Sequence, residues 1–206
     1  MSEIKETPLE KVDNTKIYDH VLSKSEYRRK DHKRFYLFHT FFRSSTPLLV
    51  LILMGFMIFY AIRTTLRMQE TDSYSTLIMV WTLTAATAMM VPFLMIGQVN
   101  SVIKKETQEL REGIDTIEVN KVKIVRSNPA IKGKVVISWY QVENICETKN
   151  YIFIYTGPKQ GIFIVKKDIS EGNVVTFREL AKKNMRKNKK GKVDYHYYFV
   201  SKKKPF

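Results

Sequence analysis

Two apolar stretches without a single charged residue, 44–62 and 73–99, interrupt an otherwise polar chain. A helix needs about 20 residues to cross a hydrocarbon core roughly 30 Å thick, and the linker between the stretches is too short to fold separately, so the pattern predicts a transmembrane helical hairpin. Ahead of it, Ile17 to Leu22 alternate in the manner of a short strand, and Ser23 with Glu26 fits the S-x-x-E capping box of a helix running to Phe42. Beyond it, residues 100–113 are polar and helix-compatible, with Gly113 as a stop. Short alternating runs then follow at 116–119, 121–126, 135–140, 142–147, 151–155 and 162–166, broken by Asn128-Pro129, Gly133, Asn150 and Gly157-Pro158, which predicts an antiparallel meander. Val135, Ile137 and Trp139 share its inward face, and Val174, Phe177, Leu180 and Ala181 make the apolar side of a closing helix.

Charge orients the hairpin. Arg28, Arg29, Lys30, Lys33, Arg34 and Arg43 precede the first span and Lys104, Lys105 and Arg111 follow the second, whereas the linker holds only Arg63 and Arg67. The positive-inside rule places both termini in the cytoplasm, in a multi-pass protein of the inner cell membrane. The first apolar segment begins only at Ser44, so the first helix is expected to act as its own uncleaved insertion signal.

Neither span carries an ionisable residue, which argues against a proton or ion path through the chain alone. Small residues permit close helix contact instead: Gly55 in the first span and Thr84, Ala85 and Ala88 in the second are the candidate packing positions, toward the other span, a membrane protein partner or a second copy. His20, His32, His39 and His196 are scattered, the carboxylates are dispersed, and no phosphate loop or nucleophile elbow occurs. The expectation is a non-enzymatic protein with no metal and no cofactor. A lone Cys146 in an alternating segment reads as a small core residue.

Basic clusters carry the remaining signal. Arg28, Arg29 and Lys30 stand before an aromatic run, Phe35 to Phe42, a signature of the headgroup boundary that an ordinary topology anchor shares. Lys187, Lys189, Lys190 and Lys192 open a tail rich in lysine and tyrosine. From Gln98 onward 23 Lys or Arg face 11 Asp or Glu. In a protein beside an anionic leaflet, attraction to lipid headgroups explains this excess more simply than nucleic acid does, although a merely solvated run fits equally. These seven residues are the candidate lipid-binding set.

The order of these pieces resembles the YcxB-like family of bacterial membrane proteins. The resemblance rests on the Tyr18 to Tyr27 lead-in, the two spans, Ile137-Ser138-Trp139 ahead of Val142-Glu143-Asn144-Ile145, Tyr151 to Tyr155, Gly161 to Lys167, and the helix with Phe177 and Leu180. It implies a cytoplasmic pleckstrin-homology-like (PH-like) sheet capped by a C-terminal helix, and brings no catalytic residues. The expected architecture is thus an α+β membrane protein: a cytoplasmic arm with a short strand and a basic interfacial helix (1–43), the hairpin (44–99), an antiparallel PH-like domain (100–187) and a basic aromatic tail (188–206). The expected function is presentation of that domain for protein or anionic-lipid binding. The alternative is a membrane immunity protein or accessory subunit acting through its helices.

Overall fold

The computed structural model describes residues 18–44, 46–67, 74–110, 113–129, 133–158, 160–188 and 190–199. They divide into a helical unit, Arg28–Gln108, and a sheet unit built from the chain on both sides of it.

In the helical unit, α1 (Arg29–Phe38) runs into a π-helical turn, His39–Arg43. Then come α2 (Thr46–Leu66) and α3 (Tyr74–Leu110), both long and apolar enough to cross a membrane. The second span and the polar segment after it are one continuous helix. Residues 98–110 contain no breaker, and Pro92 interrupts only one ladder bond, a loss that membrane helices tolerate. The indole N–H of Trp81 donates to the Thr65 hydroxyl at 3.1 Å, linking α3 to α2.

The sheet unit has two sheets. The first follows the order β4 (Lys134–Ser138), β3 (Lys123–Ser127), β2 (Ile114–Val119), β1 (Val21–Glu26), β8 (Ile169–Glu171). The second follows β7 (Gly161–Val165), β6 (Tyr151–Tyr155), β5 (Asn144–Glu147), β9 (Tyr195–Tyr197). Their inner faces bury Val21, Ile124, Ile145, Ile152, Ile154 and Ile164, and α4 (Val174–Asn184) adds Phe177, Leu180 and Ala181 to the same core. Asn173 caps α4, its side chain accepting from the Thr176 N–H at 2.8 Å.

Three sequence expectations change. The S-x-x-E segment is not a helix start: Ser23 is buried inside β1, and α1 opens six residues later at Arg29. A cap would satisfy only a few N–H groups, whereas β1 pairs with β2 on one side and β8 on the other. Val135 does not share an inward face with Ile137 and Trp139. It is 51 % exposed on the edge strand β4, and Trp139 sits in a 3-10 turn, Trp139–Gln141, that begins where the Gln141 side chain accepts the Ser138 N–H. Trp139 is nonetheless core, 3 % exposed, and its indole donates to the Asn120 carbonyl at 2.8 Å. Finally, the sheet is mixed: β9, from the segment read as tail, runs parallel to β5.

Candidate functional site

The strand register gives the sheet unit two distinct ends. β1 and β2 are antiparallel neighbours from Val21↔Val119 to Glu26↔Ile114, so the chain leaves for α1 and returns from α3 at the same end of one strand pair. At that connection end, Ser127↔Lys134 closes the β3–β4 turn. β8 runs antiparallel to β1 from Ser23↔Ile169 to Leu22↔Glu171, which sets the preceding 3-10 turn, Lys166–Asp168, beside the last residues of β1. The Lys166 N–H donates to the Asn150 carbonyl at 3.0 Å and brings the β5–β6 turn to the same place. The opposite, turn end holds the β2–β3 turn, where the Asn120 side chain accepts the Val122 and Lys123 N–H groups, together with Trp139–Gln141 and the start of β9.

Glu147 is the chemical centre of the connection end. Its side chain is wholly buried, yet all of its acceptor capacity is used. Lys166 Nζ donates to Oε1 at 2.5 Å, Arg178 donates to both oxygens at 2.6 and 2.9 Å, and the Tyr195 hydroxyl donates to Oε2 at 2.6 Å. Burial by itself would push the carboxyl up, but the hydrogen bonds from Arg178, Lys166 and Tyr195 outweigh it and hold the group below its ordinary value. The same contact raises the Arg178 guanidinium, and burial beside the Glu147 charge raises the Tyr195 phenol. Burial lowers the Lys166 ammonium, with Glu147 opposing it. Four donor groups thus converge on one carboxylate, from the Lys166 ammonium, the Arg178 guanidinium and the neutral Tyr195 hydroxyl. The cluster joins β5, the 3-10 turn, α4 and β9, and Arg178 also lies over the Tyr197 ring at 5.6 Å. One carboxylate against two cations leaves a surplus positive charge. The sequence held a signal for it: Glu147 alternates in phase with Ile145, so it falls on an inward face where a carboxylate requires partners.

The lysines read as part of a basic tail stand on a hydrogen-bonded turn at the other end. Lys187 bridges Val193, the Asn188 side chain accepts the Lys190 and Lys192 N–H groups at 2.9 and 3.1 Å, and Gly191 takes a left-handed φ of 72°. Lys187, Lys190 and Lys192 are exposed there, while Lys189 lies outside the described residues. In α1, Arg29 and Lys30 are exposed, but the Nε–H of Arg28 is committed to the nearly buried Asp31 at 2.6 Å. Of the seven, the described basic residues divide between the two units, Arg28, Arg29 and Lys30 in the helical unit and Lys187, Lys190 and Lys192 in the sheet unit. Of the packing positions, Thr84 is 8 % exposed with its hydroxyl donating to the Val80 carbonyl, and Ala88 is half-buried. Ala85 is exposed, and Gly55 has open space around its Cα. Ala61, not singled out by the sequence, is wholly buried.

These features define an α+β protein in which two helices apolar and long enough to cross a membrane are inserted between adjacent strands of a mixed-sheet domain. Residues 127–181, from the end of β3 into α4, match the family model described as YcxB-like protein, in agreement with the resemblance read from the sequence. No curated protein and no solved structure matches the chain.

Proposed function

We propose that the chain is a non-enzymatic protein of the bacterial inner membrane that holds a PH-like domain at the cytoplasmic face, where the domain binds anionic lipid headgroups. One observation carries this reading: α2 and α3 lie between two hydrogen-bonded neighbours, β1 and β2. If both helices cross the bilayer, strands paired residue for residue must lie on the same side of it, and an even number of crossings satisfies that. The excess of Lys and Arg flanking the helices supports the cytoplasm as this side. The excess of cations in the sheet unit then faces an anionic leaflet, where each exposed Lys or Arg near the surface is worth about 1 kcal/mol.

Cysteine accessibility in intact cells tests the arrangement. A cysteine placed at Thr71, in the linker, should react with an impermeant maleimide from outside, and one at Lys190 only after the membrane is opened. Equal reaction at both positions in sealed cells defeats the proposal.

A further inference from the structure

The headgroup-binding surface, we infer, is the connection end of the sheet unit, formed by Lys134, Lys149, Lys167 and Phe199, and not the lysine turn that dominates the sequence. This rests on the membrane reading above and names the part of the domain that touches lipid.

All three lysines are exposed, and all three lie at the strand ends from which the chain passes to α1 and returns from α3. Lys134 follows the β3–β4 turn, Lys149 sits in the β5–β6 turn, and Lys167 follows Lys166, whose backbone ties those last two segments together. Phe199 belongs to the same end, because the Tyr198 N–H donates to the Glu147 carbonyl at 2.8 Å. Its backbone is left-handed, φ 55°, the sole such non-glycine among the described residues, and its ring is 78 % exposed. A large aromatic residue adopts that conformation at a cost, and such costs gather at functional positions. Aromatic rings amid lysines favour the headgroup boundary. Among the described residues, the acidic side chains at this end are Glu26 and Asp168, with Asp115 bonded to Arg126 and Glu179, near Tyr197, paired with Lys182, and the Glu147 cluster contributes a further positive charge. The lysine turn lies a β5 length away, at the start of β9, and screening at physiological salt weakens attraction beyond about 8 Å.

The test uses the full chain in vesicles bearing a nitroxide on the lipid headgroup, neutral or with added phosphatidylglycerol. An environment-sensitive fluorophore is attached in turn to Lys149→Cys, Lys167→Cys and Lys190→Cys; Cys146 is buried, and the unsubstituted chain is the blank. Retention on vesicles after carbonate washing is read in parallel. The expected result is retention, stronger quenching at 149 and 167 than at 190, a further loss of emission at those two positions with anionic lipid, and weaker quenching there in Phe199→Ser. Quenching at 190 equal to or above that at 149 and 167, no response to anionic lipid, or no effect of Phe199→Ser overturns the assignment while leaving the membrane reading intact. Release by carbonate overturns both.

Discussion

The helical unit and the sheet unit place the same apolar residue types on opposite sides of their surfaces. In α2 and α3, Phe56 and Phe93 are 68 % and 77 % exposed, whereas in the sheet unit Phe153 and Phe177 are 1 % and 0 % exposed. An exposed apolar surface of the first kind marks contact with a membrane or with other protein, and on the membrane reading proposed above the two units are built for different solvents. The difference also separates their sources of stability. Internal packing holds the sheet unit, while the helices depend on what surrounds them.

The sharpest way to break this comparison is a matched pair of substitutions in the full chain held in neutral vesicles. Phe177→Ala should destabilise the sheet unit by about 3–5 kcal/mol, while Phe93→Ala should leave it within about 0.5 kcal/mol, both followed by urea unfolding. Similar losses would mean that the helical surface is packed against protein after all. Glu147→Ala should cost a comparable ~3–5 kcal/mol, because it strands Lys166 and Arg178 without their anion, and adding Lys166→Met and Arg178→Met should recover much of the loss. The pH dependence follows from the lowered Glu147 carboxyl. Its stabilisation is complete above the titration of an unfolded glutamate and disappears as pH falls through the folded value. The wild-type sheet unit should therefore loosen in acid, and Glu147→Gln should lack that part of the profile. A smaller effect, ~1 kcal/mol, is expected for Asn173→Ala, which removes the α4 cap. Smallest of all, Lys190→Gln on the exposed turn should shift the midpoint by less than about 0.5 kcal/mol, and a larger shift would assign the turn a structural role.

The two long helices were legible because a span is defined by composition alone, without reference to any partner. Most strands of the meander were legible too, from period-two runs between Gly, Pro and Asn. What escaped depends on distant pairing. Ser23 and Glu26 carry a local helix-cap signal, but β1 is claimed by β2 and β8, which lie far along the chain. Tyr195–Tyr197 looked like an ornament of a basic tail, because a three-residue parallel strand has almost no periodicity and is held by Glu147 and the β5 backbone. The lysines of 187–192 were visible as charges, but their position at the turn end follows from register, which composition does not encode. Glu147 stood in phase with Ile145, yet the identity of its partners required the fold.

The pairing of Glu26 with Ile114 also constrains how this protein is made. β1 emerges from the ribosome first, and its neighbour β2 becomes available only after the whole intervening segment has been synthesised, a delay on the order of ten seconds at ordinary elongation rates. Throughout that interval the nascent N-terminal strand has an open edge on each side. Completion of the first sheet is therefore a record that both helices have been produced and that their flanks have met again. On the membrane reading proposed above, a chain whose second helix failed to return to the side of the first strand would keep β1 and β2 apart and expose an unfinished domain to proteolysis.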